Sequence, residues 1–363
     1  MSTIFVTGAT GLLGGPVLLR LIQRNSAARV VVLVRDVERW CASPAARLDP
    51  SRIRPVIGDL LSDGLGISAT AWQQLRRDVS GFIHLGADTQ FSRPLPEARA
   101  VNTDGTRRLL ELAADCTGPV RFAYVSTAFV AGRNTGTMIE GDNGSVAGWV
   151  NAYEQSKYEA EALIRESDLD WVMLRPSTIV CDGPTGEVSQ HNAVHRALRM
   201  YHRGLAAMMP GVDGGTIDVV TTDYVSTAIA RLALDPHLTA RTFHLCAGAG
   251  ALNLETLLDD TYARWACDAA WRRRGISRPA MASLETYALF ERTIESIGDR
   301  TLVRLTRALS HFVPQLALPK HFDTTGADAE LGYAAPRVAD YWISMVDHLL
   351  ATDWGTRRTA RAA

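Results

Sequence analysis

The sequence predicts an α/β fold: a doubly wound parallel sheet with a smaller, mainly helical C-terminal region. Three observations lead there. The apolar run Ile4-Phe5-Val6-Thr7 enters a glycine-rich turn, and the turn opens a helical pattern. Strand-like runs then alternate with helical patterns as far as Thr127, which requires parallel pairing with crossover helices. The length of 363 residues suits one large α/β unit with an appendage.

Composition narrows the function classes. Apolar residues make up 47% and charged residues 21%, ordinary for a chain that buries a core. The formal net charge is −1 and no basic stripe is present, so nucleic acid is not an expected partner. Positive charge clusters only at Arg357, Arg358 and Arg361. The five cysteines, Cys41, Cys116, Cys181, Cys246 and Cys267, are odd in number and lack a C-x-x-C pair. Neither a disulfide framework nor a metal site is expected; reduced, mostly buried thiols in a cytoplasmic protein are. The first strand starts too close to Met1 for a signal peptide. No apolar stretch reaches the roughly 18 residues of a transmembrane helix.

Taken in order, Gly8, Gly11 and Gly14 recur every third residue between the first strand and a helix bearing Val17, Leu18, Leu21 and Ile22. Such a turn lets backbone approach a pyrophosphate, and the helix N-terminus offers free N–H groups and a positive dipole end. The turn residues Gly8, Thr10, Gly11, Leu12, Leu13 and Gly14 are therefore the expected cofactor cradle. Arg29–Val34 reads as a buried parallel strand ending at Arg35, where an acidic residue would select NAD. A guanidinium there favours the 2′-phosphate of NADP, although Asp36 follows directly. The third strand, from Arg54, exits through Asp59 and Leu60, and Asp59 is expected to face the adenine. The fourth, from Phe82, ends in Leu85, Gly86 and Ala87, small enough at Gly86 and Ala87 for a close backbone approach, with His84 as a strand residue. Asn102 is expected to open the next helix, and Phe122–Thr127 is the fifth strand. A helix follows from Asn151, then a sixth strand, Trp171–Pro176, and a turn at Asp182–Gly186. Later come a helix over about 191–202, strands at Ile217–Val220 and Thr242–Cys246 flanking a helix from Asp223, and a mainly helical stretch over 251–320. The expected division is residues 1–180 as dinucleotide-binding core and 181–363 as substrate-binding region, with 217–247 returning to the core sheet.

Tyr153 and Lys157 stand four apart, so a helix puts them on one face. An ammonium beside a phenol, whose ordinary pKa is near 10, stabilises the phenolate and brings proton exchange toward neutrality. The same ammonium can reach a ribose hydroxyl. Thr127 or Ser126 can offer a hydroxyl to the substrate oxygen, and strand alternation lets only one of them face the site.

The motifs T-G-A-T-G-L-L-G-G, G-D-L, H-L-G-A, N-T-D-G-T, Y-V-S-T-A-F-V-A-G, Y-E-Q-S-K and L-R-P-S occur in an order that resembles the extended short-chain dehydrogenases/reductases. The resemblance covers residues 1 to about 250. It implies a Rossmann fold and a catalytic set of Thr127, Tyr153 and Lys157, with Gly132 aligning Thr127 rather than Ser126 on the catalytic position. Asn102 matches the family's asparagine, with a structural or proton-relay role. Pro176, Ser177 and Thr178 would lie beside the nicotinamide, where many relatives carry Pro-Gly. Within the family the chain looks most like the branch of male-sterility type fatty acyl-CoA reductases and thioester reductase domains, on L-V-R, V-S-T-A-F-V-A-G, Y-E-Q-S-K-Y-E-A-E and I-D-V-V-T-T-D-Y-V. That branch implies NADPH-dependent reduction of an acyl thioester to aldehyde or alcohol. Three other readings stand beside it. A ketone, aldehyde or hydroxysteroid-type reductase would keep the same triad and the same cofactor, NADP(H) being preferred and NAD(H) an alternative. A nucleotide-sugar epimerase would hold NAD tightly, against Arg35. A non-catalytic redox sensor would commonly lack the Tyr/Lys pair. Relatives are dimers or monomers, so a homodimer is an open expectation.

Overall fold

The computed structural model describes residues 3–356 apart from Asn143, Ser145, Val146 and Pro184. Arg357, Arg358 and Arg361 lie outside the described residues, as does Pro184 of the expected turn. The first half runs β1 (Thr3–Thr7), α1 (Gly14–Arg24), β2 (Arg29–Val34), α2 (Val37–Ala42), β3 (Ile53–Ile57), α3 (Ala69–Asp78), β4 (Val79–His84), α4 (Leu95–Asn102), α5 (Asp104–Asp115) and β5 (Arg121–Val125). It continues with β6 (Gly136–Met138), α6 (Ala152–Arg165), β7 (Asp170–Pro176) and β8 (Thr178–Cys181). The second half holds α7 (Ala193–His202), β9 (Met208–Pro210), β10 (Thr216–Ile217), β11 (Val219–Thr221), α8 (Thr222–Leu232) and β12 (Arg241–Leu245). Beyond these come β13 (Leu252–Asn253), α9 (Leu254–Ala266), α10 (Ala269–Arg272), β14 (Ala280–Ala282), α11 (Leu284–Ile297), α12 (Arg300–Leu309), α13 (Val313–Leu316), β15 (Lys320–Phe322), α14 (Thr325–Leu331) and α15 (Val338–Ala351).

Seven strands form one parallel sheet in the order β12-β7-β5-β4-β1-β2-β3, the doubly wound parallel sheet expected. The inner strands are apolar on both faces because each face carries a helical layer, whereas the edge strand β3 exposes Arg54, Pro55 and Ile57. Ile4, Val6, Val30, Val32 and Ile83 point into a core shared with α1, α8 and much of the C-terminal region. Their alternates Phe5, Val31, Leu33, Phe82, Phe122 and Met173 point to the other side, against α3, α5 and α6. The strand order reverses between β1 and β4, so ligand-binding loops are expected at the carboxyl ends of those two strands.

Three expectations need correction. Asn102 does not open a helix: it is the last residue of α4, and α5 starts two residues later. The alternating polar pattern of 95–102 hid that extra helix. The run Ile217–Val220 is not one strand. It breaks at Asp218, whose carboxylate turns to accept the Ala247 and Gly248 N–H groups, both at 2.9 Å. The cysteines are not mostly buried: Cys181 and Cys246 are, whereas Cys41 and Cys267 are exposed at helix ends and Cys116 is half-buried. Among the described residues no helix is long and apolar enough to cross a membrane.

Candidate active site

The glycine turn after β1 is shaped by contacts that exclude side chains. Gly8 has φ +74°, and a Cβ on it would stand 2.7 Å from Gly86 N. A Cβ on Gly14 would stand 2.1 Å from the Ala9 carbonyl oxygen. The turn is closed by Gly11 N–H on Gly8 O at 3.0 Å and Gly14 N–H on Gly11 O at 3.2 Å. No side chain caps α1, and no acidic residue sits in its first turn. Gly14 N–H is spent on Gly11 O and Pro16 has none, so the donors offered to an anion are the Gly15 N–H and those of Leu12 and Leu13 in the turn, a set that fits a pyrophosphate. Thr10, Leu12 and Leu13 complete this turn.

The other cofactor residues expected from sequence collect at the same edge of the sheet. Arg35 directly follows β2 and is exposed. Asp36, the rival acid, is engaged as the cap of α2, accepting Arg39 N–H at 2.9 Å. Asp59 and Leu60 lie just past β3, with the Asp59 carboxylate accepting Leu61 N–H at 3.0 Å. Leu85, Gly86 and Ala87 follow β4, and Gly86 packs so tightly that a Cβ would sit 3.0 Å from both Leu60 and Thr7. Pro176 ends β7, buried Ser177 donates its N–H to Leu245 O at 3.3 Å, and Thr178 begins β8.

Thr127, Tyr153 and Lys157 meet beyond the end of β5. Asn151 starts their helix, its side chain accepting Glu154 N–H at 3.0 Å. The Thr127 hydroxyl lies beside the Tyr153 phenol, and it accepts Phe129 N–H at 3.2 Å. Ser126 is buried on the Glu161 side, and its hydroxyl has no hydrogen-bond partner among the described residues. Lys157 Nζ donates to Val125 O at 2.8 Å and stands 4.0 Å above the Tyr124 ring. The electrostatics differ from the simple picture of a lysine lowering a phenol. Burial pushes Tyr153 up to about 12, opposed by the Thr127 hydroxyl and aided by the Glu154 charge. Burial likewise pulls Lys157 down to about 7, opposed by the Glu161 carboxylate. Desolvation is the dominant effect on both groups, because neither ionised form is surrounded by water.

Asn102 does not reach the phenol. Its amide accepts Asp88 N–H at 2.8 Å, and donates to Asp88 O at 3.0 Å and Ser156 Oγ at 2.9 Å. It clamps the loop after β4 onto α6. Behind it His84 lies wholly buried between Thr7 and Thr106. Thr106 donates to Asn102 O at 2.6 Å, and Thr7 accepts Gly86 N–H at 3.0 Å. These bonds assign His84 the Nε2–H tautomer, with Nδ1 accepting from Thr7. Burial holds its pKa down at about 3, with the Lys157 charge adding to the effect.

Several residues at this site carried no sequence signal. Phe91 packs on the Tyr153 ring with centroids 5.4 Å apart, and on Phe129 at 6.4 Å. A cleft beside Phe129 is lined by Thr178, Asp218, Phe312, Leu316 and Lys320 among others. An apolar slot shares Phe312 and Leu316 and runs on past Met200, Met208, Tyr287 and Leu309. Part of the lining, from Tyr287 to Lys320, therefore comes from segments more than 150 residues beyond Thr127, which no local spacing could connect to it.

Comparison with known proteins fits this arrangement. The family described as male sterility protein matches residues 6–229. A nonribosomal peptide synthetase, asaC, of Aspergillus flavus is 29% identical over 269 residues, covering 67% of this chain and 26% of that protein. The large subunit of L-2-aminoadipate reductase from Penicillium chrysogenum is 27% identical over 267 residues, 65% of this chain and 19% of the relative. The chain thus spans about a quarter or less of these relatives. Among solved structures, the terminal R domain of the myxalamid PKS-NRPS pathway superposes with a TM-score of 0.78 at 27% identity, covering 98% of this chain and 92% of that domain.

Proposed function

The chain belongs to the male sterility protein family, an extended branch of the short-chain dehydrogenases/reductases, and from that premise we propose that it is an NADPH-dependent reductase of acyl thioesters, releasing an aldehyde and a free thiol. The observation that carries this reading is the reach of the likeness to the myxalamid R domain, which extends through the C-terminal region as well as the dinucleotide fold. In the same reading, residues 1–180 hold the cofactor and 181–363 shape the substrate pocket; of the stretch 217–247 only β12 returns to the core sheet, β10 and β11 pairing instead with β13 and β8.

When bound, the nicotinamide dinucleotide supplies the hydride. Gly8 to Gly14 would hold its pyrophosphate, Arg35 its 2′-phosphate, Asp59 and Leu60 its adenine side, and Leu85 to Ala87 with Pro176 to Thr178 its nicotinamide side. Tyr153 donates to the thioester oxygen and gives up its proton as charge develops there, with Thr127 orienting that oxygen. The high pKa of the buried phenol keeps this proton in place at neutral pH. Lys157, with Glu161 behind it, offers its ammonium to a ribose hydroxyl and to the phenolate left on Tyr153. The reduced carbon then carries a hydroxyl and the thioether sulfur; its C–S bond breaks, the sulfur takes the proton, and aldehyde and thiol separate.

The test is NADPH oxidation with octanoyl-CoA, octanal and a medium-chain ketone in parallel. Turnover of the thioester supports the reading, whereas activity confined to the aldehyde or ketone overturns it. Tyr153→Phe should cut turnover by roughly 10²–10⁴-fold, the usual worth of a general acid. NADPH binding, followed by nucleotide fluorescence, should survive in that variant. Undiminished turnover would remove Tyr153 from the mechanism.

A further inference from the structure

A polar chain that the mechanism above does not use joins the catalytic helix to the C-terminal region. Glu154 is fully buried in the first turn of α6. One of its carboxylate oxygens accepts Val150 N–H at 2.9 Å. The other accepts Asn151 Nδ2 at 3.0 Å and Gln315 Nε2, from α13, at 2.6 Å. Gln315 Oε1 in turn accepts Lys320 Nζ, at the start of β15, at 2.8 Å. Asn151 Nδ2 also donates to His311 O at 3.3 Å. The pairing of β15 with β6 seats this segment on the core. Gln315 and Lys320 also line the cleft beside Phe129.

A carboxylate out of water is tolerated only when its bonds and charge are met. Here they are met in part from the same segment that walls the cleft, and Tyr153 is the residue next to the carboxylate. We propose that Gln315 and Lys320 are positioning residues that fix the first turn of α6, and with it Tyr153, through the Glu154 carboxylate. Cleft wall and phenol are thereby set by one polar chain. The proposal rests on the reading of Tyr153 as the acid, and its test separates the two.

The groups facing Glu154 are the Val150 N–H and the Asn151 amide from its own segment, Gln315 from α13 and Lys320 from β15; Arg133 in turn repels Lys320. Burial lifts Glu154 to about 7, and its hydrogen bonds and the Lys320 charge oppose that rise. The ionised carboxylate accepts all three donors, whereas a protonated one turns an O–H toward them. All three donors are therefore engaged only by the ionised carboxylate, and loss of the Lys320 charge moves its formation to higher pH.

The experiment uses the full chain as Gln315→Leu, Lys320→Met and Lys320→Arg. Without substrate, amide hydrogen exchange over 152–157 should quicken about tenfold in the first two, the loss expected for one hydrogen bond to a charged group. The arginine variant should stay close to the parent. Unchanged exchange in Gln315→Leu and Lys320→Met, or equal loosening of β1 in them, overturns the proposal. With octanoyl-CoA and NADPH, kcat should fall while KM stays within about twofold, and its rise with pH should move upward in Lys320→Met. A change confined to KM would reduce both residues to cleft lining and overturn the proposal. If the parent reduces no thioester, the reading of function falls while the exchange result still decides the positioning role.

Discussion

At the scale of single residues, Arg35 and Asp36 show how a neighbour's structural duty leaves a functional group available. Both could meet an adenosine ribose, but the Asp36 carboxylate caps α2. Arg35 has no hydrogen bond or ion pair among the described residues and stands exposed at the end of β2. An NADP preference follows if the guanidinium alone faces the 2′ position. Arg35→Ala should raise KM for NADPH by roughly ten- to a hundredfold, the worth of a charge-assisted bond to phosphate. KM for NADH should stay within about twofold, since no phosphate is lost there. Equal changes with both nucleotides would show that Arg35 does not read the phosphate. This feature was legible in the sequence because strand end and residue are adjacent. The opposite holds for Tyr153. Its position on the helix was readable from spacing, but its upward pKa comes from burial by Phe91 and other groups distant in sequence.

At the scale of elements, α6 shows what periodicity conceals. Nothing in the sequence marks Glu154 and Glu161 as interior, yet both are wholly buried. Glu161 pairs with Arg175 of β7 through two bonds, Nη2 to Oε2 at 2.6 Å and Nε to Oε1 at 2.9 Å. Arg165 joins at 2.7 Å, and Arg175 also donates to Gly141 O at 2.7 Å. The fork ties α6 to the sheet. Glu161→Gln leaves a buried guanidinium without its counter-charge, and such breaks cost about 3–5 kcal/mol. Urea unfolding should register a loss of that size. Replacing both partners, as Glu161→Leu with Arg175→Met, should recover most of it, because an apolar pair of similar volume needs no compensation. A double variant no more stable than Glu161→Gln would mean that the hydrogen bond to Gly141, rather than the pair, fixes β7. The strands of the sheet were legible because runs such as Val30–Val34 are apolar on both faces. The buried charges were not, since their partners lie on other elements.

At the scale of the whole molecule, the same burial that tunes the site makes stability depend on pH in a definite direction. His84, His195 and His244 are buried, and desolvation lowers them from 6.5 to about 3, 4 and 4. An unfolded chain binds these protons as pH falls below about 6.5, while the folded chain refuses them until about pH 4. Their stabilisation is therefore present above 6.5 and lost toward 4. Glu154 acts the other way: raised from 4.5 to about 7, it stabilises at low pH and stops doing so as pH rises through 7. His202 is lowered to about 4 as well and Asp218 is raised from 3.8 to about 6, so four histidines stand against two carboxyls and leave about two unmatched protons between pH 4.5 and 6, each worth about 1.4 kcal/mol per pH unit. Lys157, lowered from 10.5 to about 7, adds one more in the same sense above neutrality. Urea midpoints measured without nucleotide at fixed ionic strength should climb steeply from pH 5 to 6.5 and more gently to pH 9. His195→Gln removes one of the four histidines, whose Nδ1 accepts Asn192 N–H at 2.9 Å and whose Nε2–H donates to Val180 O at 2.8 Å. Whatever it costs in absolute stability, it should flatten the acid limb by one proton. A stability maximum below pH 6, or an acid limb unchanged in that variant, would place the controlling groups elsewhere.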